Sequence, residues 1–245
     1  MQNTWLLIGQ QFKLMSKEYK ISYKISPNTR LKLVDYHGIA TYPIYVRVSY
    51  KRDQPEFKSY YFDLFSKPKY LLSFAGKLKF PSVADIIAKE EEVVRFVIDK
   101  LGPNFSLEGF KSEYQYYSRD LCDQAEQGFN EYLQTFLSDE GMPDFAKLIQ
   151  TGVASVNSFN LLSDLKQALN GDLYAKLIEN ALYYSPPYLP IYGFIQNKKV
   201  SPILTARDLE EPKTREKFNQ YLQKNYAGYE KSILAQIDRL LNSNR

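Results

Sequence analysis

The amino-acid sequence predicts an α+β protein, with an N-terminal antiparallel β-meander domain followed by a mostly helical domain. Three observations carry this. Residues 19–26 and 42–50 alternate apolar and polar side chains at the period of a strand. From Pro81 onward, apolar residues recur at helical spacing between clear stop signals. The charge also changes sign there. Residues 1–80 hold 14 Lys and Arg against 5 Asp and Glu, a net of +9, whereas residues 81–245 hold 18 against 23, a net of −5. The expected organisation is a basic β domain over residues 1–80, a helical connector over 81–112 and a helical domain over 113–245.

Residues 5–14 read as a strand or a loosely packed arm. The first clear strand follows, with Tyr19, Ile21, Tyr23 and Ile25 on one face and Lys20, Ser22, Lys24 and Ser26 on the other. Ser26-Pro27-Asn28-Thr29 is a turn signal. Residues 30–36 form the next strand, Leu31 and Leu33 facing in and Arg30 and Lys32 facing out. His37-Gly38 is read as a turn. Residues 42–50 alternate again, with Tyr42, Ile44, Val46 and Val48 inward and Tyr45, Arg47 and Ser49 outward. Lys51 and Arg52 fall at the tip of a hairpin whose aromatic return strand is residues 57–62, Lys58 among them. Residues 66–81 are a basic connector holding a short strand at 70–74.

Pro81-Ser82, with Asp85 three residues on, is an N-cap signal. Ile86, Ile87, Val94, Val97, Ile98 and Leu101 continue the helix until Gly102-Pro103 stops it. The run Lys89-Glu90-Glu91-Glu92 reads as a solvated helix face. A short helix starts at residues 104–108 and carries Phe110 and Tyr114. Further helices are expected over residues 119–137, 144–150, 158–169, 172–184, 214–224 and 229–241. Between them, residues 183–194 place three prolines among aromatics, which reads as an extended segment that cannot be helix. It is either a docking surface for a partner or second copy, or a crossover packed on the helices. Residues 196–199 read as a turn.

Composition narrows the chemistry. With 245 residues, 44% hydrophobic and 24% charged, the chain is globular and long enough for a sizeable core. Its 21 Tyr and 15 Phe suit half-buried strand faces and wet interfaces. The single cysteine, Cys122, excludes an intramolecular disulfide and a Cys-based metal cluster, and it sits in a helical pattern as a small hydrophobe. The single histidine, His37, argues against His-dependent triads and two-His metal sites. No phosphate loop, dinucleotide fingerprint or nucleophile elbow is present, so no cofactor, no metal and no enzyme activity are expected. No apolar run approaches the ~18 residues of a membrane span, and the opening residues do not read as a signal peptide. A cytoplasmic, soluble protein is the expectation.

One stretch resembles a known family. Pro43-Ile44-Tyr45-Val46-Arg47-Val48, then Lys51-Arg52, then Glu56-Phe57-Lys58-Ser59, then the helix from Ser82 to Leu101, then Phe105-Ser106-Leu107-Glu108-Gly109-Phe110, follow the order and spacing of one domain type. It is the N-terminal arm-binding domain of tyrosine recombinases (phage-type integrases) of the Bacteroidetes kind, and residues 17–112 are similar to it. The resemblance implies a small β-rich domain that grips arm-type DNA and points to Arg47, Lys51, Arg52 and Lys58 as contacts. It does not extend to catalysis. No His lies beyond residue 37, so the family's His-x-x-Arg pair is absent, and residues 113–245 are too few for its two remaining domains.

The expected function is non-catalytic binding of double-stranded DNA through the basic sheet face, in the setting of recombination or mobile elements. Lys20, Lys24, Lys32, Arg47, Lys51, Arg52 and Lys58 are the candidate contacts. The alternative is a structural or assembly protein that uses the Tyr-rich sheet and residues 183–194 as protein interfaces.

Overall fold

The computed structural model describes residues 19–67, 70, 81–152, 158–198 and 203–242. A small antiparallel sheet is followed by a mainly helical chain, which is the α+β class expected. The expected arm at residues 5–14 lies outside the described residues, as does the short strand expected at 70–74 except for Tyr70, which is helical.

The sheet contains β1 (Ser22–Pro27), β4 (Ile44–Ser49) and β5 (Glu56–Lys58) in the order β1-β4-β5. β2 (Val34–Tyr36) and β3 (Ile39–Thr41) form a separate two-stranded ribbon. The strands therefore do not follow one another as a simple meander, because β1 pairs with β4. Asn28 N–H donates to the Pro43 carbonyl at 2.8 Å, so residues 28–33 leave the sheet as a surface connection. Leu31 and Leu33, expected inside, are 42% and 54% exposed because no strand covers them. Lys32 lies in the same connection rather than on a strand. The His37-Gly38 turn stands as read. Both residues have positive φ (54° and 83°), the condition for a twist-matched two-residue hairpin. The Gly38 N–H donates to Asp35 Oδ1 at 3.0 Å.

The return strand is shorter than its aromatic run. Ser59 ends β5 and caps helix α1 (Tyr60–Phe65), its Oγ accepting from Phe62 N–H at 3.0 Å. Tyr61, Phe62, Leu64 and Phe65 then enter the core at helical spacing. Helix α2 (Val83–Leu101) begins at the expected capping box between Ser82 and Asp85. Helix α3 (Leu107–Ser118) packs beside it. Both supply the core beneath the sheet, where Ile86, Val93, Val94, Phe110 and Tyr117 meet Ile44, Val46 and Val48. The stretch expected as a connector is thus part of the first core.

The second core begins at α4 (Leu121–Asp139), whose Leu121, Ala125, Phe129, Leu133 and Leu137 recur every four residues along one buried stripe. Around it lie α5 (Pro143–Gly152), α6 (Ser158–Ala168), α7 (Gly171–Tyr184), α8 (Tyr188–Lys198), α9 (Ala206–Glu210), α10 (Pro212–Asn225) and α11 (Glu230–Asn242). The break between the cores falls between Tyr117 and Leu121, and Ile203 and Ala206 return to the first core.

Helix α8 corrects the reading of residues 183–194 as an extended segment. Pro190 is its third residue, in the first turn, where N–H groups have no intrahelical acceptor to lose. Ile191 N–H donates to the Pro187 carbonyl at 3.3 Å, so the helix closes across the proline. Tyr188, Leu189, Ile191 and Tyr192 are buried against α4 and its neighbours. Of that stretch, Tyr183 and Tyr184 at the end of α7 stay exposed. The expected turn after it is instead the last turn of α8, at Gln196 and Asn197.

Candidate nucleic-acid interface

The register of the sheet defines its outer face. Lys24 stands directly opposite Arg47, Arg47 opposite Glu56, and Tyr45 opposite both Ser26 and Lys58. The partners of a strand pair point to the same side. Ser22, Lys24, Ser26, Tyr45, Arg47, Ser49, Glu56 and Lys58 therefore share the face away from Val46 and Val48. Four of the seven residues named from the sequence gather in or beside this face: Lys24, Arg47, Lys58 and the exposed Lys20 just before β1. Lys51 and Arg52 project from the β4–β5 hairpin tip, where Tyr50 and Asp53 exchange backbone hydrogen bonds at 3.1 Å. Lys32 stands apart, in the β1–β2 connection.

The cations differ in how firmly they are held. Arg47 Nη2 pairs with Glu56 Oε2 at 2.9 Å, and Lys58 Nζ with Asp63 Oδ1 at 2.5 Å. Such exposed pairs contribute about 0–1 kcal/mol, so another anion displaces them easily. Lys24 has no carboxylate within 4.0 Å among the described residues, and it faces Arg47 directly. Two like charges across a strand pair repel, and an anion laid over them relieves it. Lys51 Nζ sits 5.8 Å and 5.1 Å from the ring centres of Tyr19 and Tyr50, whose rings meet edge to face at 6.3 Å. The backbone of this tip residue has a positive φ of 57°, and its ammonium lies within cation–π range of both rings.

Beneath the sheet lie buried acids. Glu90, read as part of a solvated charge run, is fully buried. Its Oε1 accepts from Ser59 Oγ at 2.5 Å and Tyr61 N–H at 3.3 Å, and its Oε2 from Tyr114 Oη at 2.6 Å. Burial raises its pKa, against the pull of those donors. The signal was there: Glu90 lies four residues after Ile86 and three and four before Val93 and Val94, on the apolar stripe. Its neighbour Lys89, largely buried as well, pairs with Asp208 and Glu92, at 2.7 Å and 3.2 Å.

Asp120 is a second buried acid. Its Oδ1 accepts from Cys122 N–H and Leu204 N–H at 3.3 Å and 3.2 Å, and its Oδ2 from Asp123 N–H and Tyr70 Oη, both at 3.2 Å. Burial pushes its pKa up to about 7 despite the backbone donors. It thus caps α4 and joins the chain entering the second core to the strand-like bridge at Thr205. Tyr60 Oη accepts from the Asp120 N–H at 2.9 Å. In the second core Glu126 accepts from Ser158 N–H and Oγ at 3.0 Å and 3.1 Å. All three acids cross-link elements. Among the described residues no group of three or more His, Cys, Asp or Glu is placed to hold a metal ion. No helix among them is long and apolar enough to cross a membrane. Comparison with protein-family models, curated proteins and solved structures gives no match.

Proposed function

We propose that the protein binds double-stranded DNA through the outer face of the sheet, without catalysing a reaction on it. The observation that carries this reading is the Lys24–Arg47 pair, two cations set opposite each other on a solvent-facing sheet, flanked by Lys58 and by the Lys51-Arg52 tip. A two-stranded ribbon or sheet fits the major groove, where Arg and Lys reach guanine edges and phosphates. The net of +9 over residues 1–80 supplies long-range attraction. The resemblance of residues 17–112 to integrase arm-binding domains points to the same face, and the setting we propose is recombination or mobile-element biology in the cytoplasm. The test is titration of the protein against a random-sequence duplex at two salt concentrations. A log–log salt slope of several units is expected, about 0.9 per phosphate contacted. Absence of binding at low salt refutes the reading.

A second reading is favoured by Leu31, Leu33, Val34 and Ile39, all exposed around the β2–β3 ribbon, and by the exposed Tyr183 and Tyr184. In it these apolar side chains are protein interfaces of an assembly component. A mass in solution above the monomer that does not change with salt, with no retention on DNA, selects it over the first.

A further inference from the structure

A cleft of about 320 Å³ opens between β5, α1 and α3. Its wall is aromatic: Phe57, Tyr60 and Tyr114, with the Phe57 and Tyr114 rings 5.0 Å apart. Two of these rings are fixed from behind. Tyr114 is tied to buried Glu90, and Tyr60 Oη takes the Asp120 N–H. The rim is cationic: Lys58, Lys111 and Arg119. Asp63 is the one acid lining it and is engaged by Lys58. Lys111 and Arg119 have no carboxylate within 4.0 Å among the described residues. The sum is three cations against one acid.

We propose that this cleft binds a phosphate monoester carried on a flat aromatic body, of which a nucleoside 5′-monophosphate is the simplest example. The net lining charge of two matches a phosphate monoester, which carries about −1.5 to −2 at neutral pH. Lys and Arg give phosphate oxygens charge-assisted hydrogen bonds. Phe57 and Tyr60, both half-buried, offer a base a stacking surface, and buried Tyr114 holds it in place from behind before binding. The cleft volume lies at the lower end of the ~300–1,000 Å³ range of small-ligand sites. The inference does not rest on the DNA-binding reading, with which it shares only Lys58.

Calorimetric titration of the full chain with adenosine 5′-monophosphate, inorganic phosphate and adenosine tests it. The monophosphate should saturate at or below about 1 mM, and phosphate and adenosine should each bind at least tenfold more weakly, since each loses about 1.4 kcal/mol or more. Lys111→Gln, on an exposed helix position, should weaken the monophosphate about tenfold, and Arg119→Gln similarly. No saturation by the monophosphate overturns the proposal. So does wild-type affinity in both variants. Equal binding of phosphate and monophosphate overturns the aromatic half of the assignment.

Discussion

On the outer face of the sheet, Arg47–Glu56 and Lys58–Asp63 are ion pairs whose partners are a third to a half exposed. On the inner side of the same sheet, Glu90 meets Ser59, Tyr114 and Tyr61 with no exposure at all. The groups are chemically alike, and their surroundings give them opposite tasks. Water screens the outer pairs, so they are weak and exchangeable, which suits the proposed binding of DNA phosphates there. Below the sheet the removal of any partner strands a donor or acceptor in a dry core, so those bonds fix β5, α1, α2 and α3 in one arrangement.

The largest separation between the two sides should appear in stability. Glu90→Ala leaves three donors unpaired and is expected to destabilise by about 3–5 kcal/mol in urea unfolding. A Lys24→Glu/Arg47→Glu double variant should stay within about 0.5 kcal/mol of wild type. A Glu90→Ala loss no larger than that surface control would erase the distinction.

Asp120 sharpens the comparison through pH. Its folded pKa of about 7 lies above the ordinary 3.8, so the folded state holds the proton more tightly than the unfolded chain. The stabilisation this gives is complete below about pH 4 and is lost as pH rises to about 7, an upper limit of roughly 4 kcal/mol. Glu90, also raised, acts in the same direction. Thermal melts at pH 5 and pH 8 should therefore show the wild type less stable at pH 8. Asp120→Asn, which keeps an N-capping side chain, should shrink that difference; an unchanged difference would assign it to other groups.

Charge reversal at the exposed tip should spare folding and lower duplex affinity. Lys51→Glu with Arg52→Glu is expected to reduce binding about tenfold or more at moderate salt, read by fluorescence anisotropy. Unchanged affinity removes the tip from the interface. The smallest effect belongs to Tyr61, whose buried hydroxyl has no hydrogen-bond partner among the described residues. Tyr61→Phe should be neutral or slightly stabilising in the same urea assay, and a clear loss would reveal a bonded hydroxyl.

What could be read from the chain was what short-range chemistry decides. Ser82 and Asp85 announce α2, and alternation over residues 42–50 announces β4 with its inward Val46 and outward Arg47. Readings failed where long-range packing outweighs local signals. Pro190 looks like a helix breaker until its position in the first turn of α8 is known. Residues 60–62 look like the end of a strand because aromatic residues favour strands, yet the Ser59 cap and the core below make Tyr60–Phe65 a helix. Glu90 looked solvated because its neighbours are charged; Ser59 and Tyr114, which satisfy it, lie 31 and 24 residues away. The outer sheet face was legible for Lys24, Arg47 and Lys58 because period two assigns faces directly. Lys32 was misplaced because β2 pairs only from Val34 onward, and sequence spacing does not give pairing partners.

The clamp at Asp120 and Leu204 has a consequence for synthesis. Those residues are 84 positions apart, and Ile203 and Ala206 complete a core otherwise built from residues 36–117. At roughly 5–20 residues per second, a ribosome takes about 4–17 s to deliver the second half of the clamp after the first has emerged. During that interval the first core lacks the side chains of Ile203 and Ala206. The first core is therefore complete only after Ile203 and Ala206 have been made.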